Sequence, residues 1–144
     1  MIIVIVLRIL YGRFFKASIV KEFDCEFDGK PGRYRGEVLG GPNSKNGFGI
    51  FTSTDGVIEI IGSWSNDQPH GKCLSKKSDG YYLGNFSNGQ GNGQGKRIKL
   101  DGDYFRTGFF RHGRCHGQVE TIESNGYMHS GPWYDNNYRG IGIE

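Results

Sequence analysis

His112, Cys115 and His116 lie within one short stretch, Arg111-His112-Gly113-Arg114-Cys115-His116, and carry the imidazole and thiolate donors that suit zinc. Three ligands from one short turn rarely close a tetrahedral shell, so no metal or other cofactor is expected. Cys115 beside His116 also has the composition of a nucleophile and its base, a pairing that requires both side chains in mutual reach. Neighbours in an extended strand point to opposite faces, which argues against it. Gly89-Gln90-Gly91-Asn92-Gly93-Gln94-Gly95 contains the glycines of a phosphate loop, but no Lys-Ser or Lys-Thr follows and no helical pattern opens behind it. It reads instead as a hairpin loop. The remaining cluster is basic: Lys96, Arg97, Lys99, Arg106, Arg111 and Arg114 face only Asp101 and Asp103 in the same stretch. On neighbouring strands these six would form one patch, able to hold acidic protein segments, anionic lipid headgroups or a nucleic-acid backbone, ranked in that order. The alternative is a solvated face that keeps an open sheet from aggregating.

The elements that position these residues are internal repeats. A glycine flanked two residues before and two after recurs as Ile60-x-Gly62-x-Trp64, Tyr82-x-Gly84-x-Phe86, Arg106-x-Gly108-x-Phe110 and His129-x-Gly131-x-Trp133. Nine residues on from each glycine stands another, at Gly71, Gly93, Gly117 and Gly140. Asp79-Gly80, Asp101-Gly102 and Asn125-Gly126 then close the first three of these units. An earlier unit opens at Tyr34-x-Gly36-x-Val38, with a two-residue insertion in Gly40–Ser44, and a degenerate one at Leu10-x-Gly12-x-Phe14. His116 is therefore the residue before the second glycine, equivalent to Asn46, His70, Asn92 and Arg139. A position filled by His, Asn and Arg is a polar turn position.

Within each unit the alternating positions fall on one strand face, and the bare glycine leaves room for a large side chain, expected to be a ring from the neighbouring repeat. The polar loop before the second glycine makes each unit a β-hairpin, Asp-Gly or Asn-Gly turns the chain into the next unit, and hairpins in series make a meander. The expected fold is all-β: an elongated, open, single-layer antiparallel meander of stacked hairpins. A lone hairpin is marginal, so stacking must supply the core. Tyr34, Gly36, Gly62, Trp64, Tyr82, Gly84, Phe86, Gly108, Phe110, Gly131 and Trp133 are its expected structural positions.

The pattern Tyr-x-Gly-x-Phe/Trp, a turn, His-Gly-x-Gly, a strand and Asp-Gly resembles the MORN repeat (membrane occupation and recognition nexus). The best copies are Tyr82-Leu83-Gly84-Asn85-Phe86 with Asn92-Gly93-Gln94-Gly95 and Asp101-Gly102, and Gly62-Ser63-Trp64 with His70-Gly71 and Asp79-Gly80, and the resemblance covers residues 34–144 and, more weakly, 10–33. Cys73 and Val119 replace the third glycine, Ile60, Arg106 and His129 the opening tyrosine, and Val38 the aromatic residue. The resemblance implies a non-catalytic scaffold or adaptor, a structural subunit that joins other proteins, or else a peripheral module for anionic phospholipids or phosphoinositides. It also implies no small-molecule substrate. Family members fused to lipid-kinase or methyltransferase domains would need more chain than the 144 residues here.

Glycine supplies 25 positions without a Gly-X-Y period, which excludes collagen, and a charge of +3 is too small for a dedicated nucleic-acid binder. Three widely spaced cysteines make no disulfide framework, consistent with a reducing, intracellular compartment. The apolar run from Met1 to Leu7 falls far short of the roughly 20 residues of a spanning helix and lacks the basic start of a signal peptide. Residues 1–33 are expected to form an apolar strand and degenerate capping repeat, and 34–144 the repeat array with an incomplete last unit. Ile3 and Ile5 at one end, and Ile141 and Ile143 at the other, are candidate interfaces with another chain, including a second copy or a large complex. Replacing Ile3 and Ile5 by aspartate should reduce the sedimentation coefficient of the native protein while its circular dichroism is retained. Loss of the β signal would make the segment part of the core.

Overall fold

The computed structural model describes residues 4–6, 18–100 and 103–140. Twelve strands follow one another: β1 (Val4–Val6), β2 (Ser18–Phe27), β3 (Lys30–Val38), β4 (Lys45–Ser53), β5 (Glu59–Ser65), β6 (Gln68–Lys77), β7 (Gly80–Ser87), β8 (Gln90–Lys99), β9 (Tyr104–Arg111), β10 (Arg114–Glu123), β11 (Met128–Tyr134) and β12 (Asn137–Tyr138). Each pairs antiparallel with the next, in the order β1 to β12, as one open sheet. Among the described residues there is no helix long and apolar enough to cross a membrane. The meander read from the repeats is the fold observed.

Five of its turns are two residues long with positive φ at both: Asp28-Gly29, Asn66-Asp67, Asn88-Gly89, His112-Gly113 and Asp135-Asn136. These are the residue types that tolerate the left-handed region, and their twist matches that of the strands they join. The turn is thus shorter than the Gly89–Gly95 hairpin loop expected from sequence. Asn88 and Gly89 suffice, and Gly91 and Gly93 already lie within β8. The second glycine of the repeat has its own cause. Gly47, Gly71, Gly93 and Gly117 have φ between +82° and +106°, and each stands beside a register irregularity between the two strands of its hairpin. A β-bulge there needs a residue that adopts this φ without strain.

Pleating sends alternate residues to one face, and that face is the core. Tyr34, Phe51, Ile60, Trp64, Tyr82, Phe86, Phe110, Val119 and Trp133 are buried on it. Their rings meet edge to face, Tyr34 against Trp64 at 5.4 Å and Tyr82 against Phe110 at 5.0 Å between centroids. Each tyrosine lies over bare backbone: a Cβ at Gly49 would collide with the Tyr34 ring, and one at Gly95 with Tyr82. Gly49 is on β4 and Gly95 on β8, the strands paired with β3 and β7, so ring and glycine belong to the same hairpin rather than to neighbouring repeats. The hydroxyls finish the arrangement by donating to the carbonyls three residues ahead, Tyr34 to Glu37 at 2.9 Å and Tyr82 to Asn85 at 3.2 Å.

Successive units are tied by a recurring bond at the turns. The second turn residue donates its N–H to the preceding unit: Asp67 to Lys45 O, Gly89 to Pro69 O, Gly113 to Gly91 O and Asn136 to Cys115 O, at 2.8–3.2 Å.

Gly49→Ala should cost about 1–3 kcal/mol, the usual range for overpacking, read as a lower urea midpoint. Gly41→Ala, in the open β3–β4 loop where a Cβ meets only Ser44, should stay within about 0.5 kcal/mol of the parent.

Candidate interaction surfaces

The six basic residues do not share a face. Arg97, Lys99 and Arg106 alternate with Lys96 and Arg111 along β8 and β9, and the pleat sends the first three to the core side and the others, with Arg114, outward. Arg97 lies over Tyr82 and Phe110, 5.8 and 5.2 Å from the centroids, and donates to Gly113 O at 2.7 Å. Arg106, directly across from Arg97, lies 3.7 Å from the Tyr104 centroid and 4.2 Å from that of Trp133. The rings stabilise each cation through their quadrupoles and hold the two guanidinium groups in place. Lys99 is 3.8 Å from Asp103, and on the outer side Arg114 is 3.8 Å from Asp135. Lys45, buried on the core side over Trp64 at 5.6 Å, repeats the cation-on-ring motif in the first half of the array and was not singled out by the sequence reading.

The chemical candidates disperse as well. His112 occupies a turn with φ of 49°, and Cys115 is buried on the core side, where Arg106 Nη1 approaches its Sγ at 3.9 Å. His116 packs instead on the outward-facing Tyr134, 5.0 Å between centroids. Among the described residues no three His, Cys, Asp or Glu side chains are placed to share a metal ion. Burial pushes the thiols of Cys25, Cys73 and Cys115 above their ordinary range, and for Cys115 it outweighs the opposing effect of Arg106 and Arg97. Ile5 pairs with Ile19 at the β1–β2 edge. Ile3, Ile141 and Ile143 lie outside the described residues.

The outer face holds what the sequence reading missed. One cross-strand row runs Ile50, Ile61, Leu74, Leu83 over β4 to β7. The adjacent row continues it as Tyr81, Ile98, Phe105, Ile122, Met128 over β7 to β11. The two rows meet on β7, where Tyr81 and Leu83 are two residues apart, so the apolar band crosses eight strands. Leu83 is 53% exposed, Ile98 47% and Met128 68%. A shallow cavity of about 270 Å³ opens over its β9–β11 end, lined by Phe105, Ile122 and Met128. The signal was present as apolar residues at both parities, in Ile60-Ile61 and Tyr81-Tyr82-Leu83.

The sequence profile of the MORN repeat matches residues 43–58, 61–80, 82–104 and 107–118. The matched segments follow the hairpins from β4 into β10, with the tyrosine-on-glycine packing of β7–β8 at their centre. The chain belongs to the MORN-repeat family. No curated protein matches it as a relative. MORN arrays are modules for interaction with proteins or membranes, and this array extends past the matched segments, since β3 before them and β11 after them carry the same ring and glycine positions. Among the four units that open at Tyr34, Ile60, Tyr82 and Arg106 the departures noted above sort in a regular way. Where the opening residue is Tyr34 or Tyr82, the third position is Gly49 or Gly95. Where it is Ile60 or Arg106, the third position is Cys73 or Val119.

Desolvation in the core holds the Tyr82 phenol neutral to a pKa of about 12, and raises that of Tyr34 further. The folded-state pKa is raised, so this contribution to stability is complete below the unfolded value of about 10 and is lost as pH rises through the folded one. The urea midpoint should therefore fall between about pH 9 and about pH 11, and fall less in Tyr82→Phe.

Proposed function

We propose that this MORN array is a non-catalytic scaffold or adaptor, and that its outer face docks a protein partner. The observation that carries the reading is the exposed apolar band from Ile50 to Met128. An antiparallel sheet with one face on its core normally turns polar residues outward, and a large contiguous apolar patch marks an interaction site. The charges bordering the band favour a protein over an anionic bilayer. Lys72, Lys76 and Lys96 are interspersed with Glu59 and Glu120 on the same face, which gives local complementarity to a mixed protein surface without a single-sign field. A lipid-binding basic face would need the six cations on one side, and they stand three and three. Buried, raised thiols and the turn placement of His112 support a non-enzymatic reading.

The double variant Leu83→Asp, Ile98→Asp tests it. Both positions are about half exposed, so the sheet should persist, with a strand-propensity cost of at most about 1 kcal/mol at each. In nuclease-treated, detergent-free lysate the parent should sediment with a larger particle and the variant as a small species with unchanged circular dichroism. A small parent that binds anionic vesicles in a salt-sensitive way, and loses this on replacing Arg97, Lys99 and Arg111, would decide for the lipid reading.

A further inference from the structure

At the last hairpins of the array, on the core side, four buried polar atoms have no hydrogen-bond partner: Arg106 Nε, Thr121 Oγ1, His129 Nδ1 and Trp133 Nε1. They are neighbours. Arg106, Thr121 and His129 form one cross-strand row over β9, β10 and β11, and Trp133 stacks on the His129 ring at 6.0 Å and on the Arg106 guanidinium at 4.2 Å. Thr121 is 1% exposed and Trp133 6%. Buried polar groups are nearly always paired, and leaving one unpaired costs about 1–3 kcal/mol, so four together call for a partner.

The repeat itself shows how the indole came to be unpartnered. Trp64, the equivalent residue three units earlier, donates its Nε1–H to Gly49 O at 3.2 Å. Gly49 pairs with Gly62 as Val119 pairs with Gly131. Val119 puts a branched side chain where Gly49 has none, and the Trp133 ring lies on Arg106 instead.

The cluster also has a defined chemistry. Arg106 Nε–H and Trp133 Nε1–H can only donate, and Thr121 can donate, so the missing partner is an acceptor. Two rings, Tyr104 at 3.7 Å and Trp133 at 4.2 Å, lie against the guanidinium, and an arginine bonds a carboxylate through its in-plane N–H groups, matching the two oxygens of a planar group. Arg106 supplies one fixed positive charge, and among the described residues it has no ion-pair partner; Glu123, one row along on the same face, lies beyond ion-pair distance. We propose that this cluster receives a single carboxylate, such as an Asp or Glu side chain of a partner segment. The way in is past Tyr138, whose ring packs on His129 at 4.9 Å and Trp133 at 5.5 Å. It is 43% exposed, and its short strand β12 pairs with β11 at Trp133–Tyr138 and Tyr134–Asn137, with the Arg139 N–H donating to Pro132 O at 2.7 Å and the Tyr138 hydroxyl to Ser130 O at 3.3 Å. A segment lying along β11 would displace that cover.

The chain has two tryptophans, and the bonded Trp64 serves as an internal reference for Trp133. In ¹⁵N–¹H spectra, sodium acetate titrated against sodium chloride at constant ionic strength should shift the Trp133 indole resonance saturably and leave that of Trp64 in place. Inorganic phosphate should bind more weakly than acetate. Tetraglutamate binding at least tenfold more tightly than acetate would place the carboxylate on a partner segment, and equal affinity would place it on a small acid. Tyr138→Ala should strengthen the response and Arg106→Gln abolish it. Should Arg106→Gln lose the Trp64 resonance by unfolding, Thr121→Val, which keeps the side-chain shape, should weaken acetate several-fold. A Trp133 resonance that acetate moves no more than chloride, a response that survives in folded Arg106→Gln or is unchanged in Thr121→Val, or saturation at lower phosphate than acetate would each overturn the proposal.

Discussion

A single-layer sheet has one face on which to build a core, and nothing packs over that face except its own side chains. That constraint governs the whole molecule. Two layers can interdigitate, but here large rings must lie down on the sheet that bears them, and a ring can lie flat only on backbone without Cβ atoms. Hence Tyr34 covers Gly49 and Tyr82 covers Gly95, and hence glycine is so abundant in a protein that folds. The tyrosine hydroxyls, brought down with their rings, reach backbone carbonyls and remain satisfied in the core. The same burial makes both phenols reluctant to ionise.

The constraint also explains why the units are coupled. One hairpin offers one ring and one glycine floor, too little apolar area to be stable alone. Edge-to-face contacts such as Tyr34 with Trp64 and Tyr82 with Phe110 cross from one hairpin to the next, and the turn bonds repeat at the same place in each unit. Stability in such an array is a sum of weak units and the interfaces between them. The charged turns are part of this. Asp55 accepts from Lys30 Nζ at 2.7 Å, from Ser53 Oγ and from the Val57 N–H, which holds its carboxyl far below the usual range and fixes the β4–β5 turn against the β2–β3 one.

Periodicity made the fold legible because glycine spacing is dictated by backbone geometry. The second glycine, nine residues after the first, marks a bulge with positive φ, and Asn-Gly or Asp-Gly marks a turn of known twist. Spacing alone does not say which glycine turns the chain and which lies under a ring, so Gly91 and Gly93 were read as loop. The basic cluster failed as a patch for a simpler reason. Closeness in sequence across two strands does not make one face, and Lys96 and Arg97 are neighbours on opposite sides. The outer band was hidden because apolar residues at both parities resemble core. The strand register separates the two sets, with Tyr34, Tyr82 and Phe110 buried on one face and Ile50, Leu83 and Ile98 exposed on the other.

The departures from the repeat carry more information about function than its regular positions. Where a tyrosine opens a unit, glycine must stand at the third position. Once Ile60 or Arg106 replaces it, that position is free to become Cys73 or Val119. In the Ile60 unit the exchange stays apolar, and the Cys73 thiol finds an acceptor in Ser63 O at 3.2 Å. In the Arg106 unit it brings a cation into the core face, replaces the floor with a branched side chain, and leaves an indole, a hydroxyl and an imidazole around the guanidinium unpartnered. Two substitutions of the same repeat positions thus have opposite consequences: one closes the core and the other leaves it chemically incomplete. A defect at this end of the array, shared by β9, β10 and β11, can be completed by an incoming segment at little cost to the rest of the sheet, because each unit depends chiefly on its neighbours.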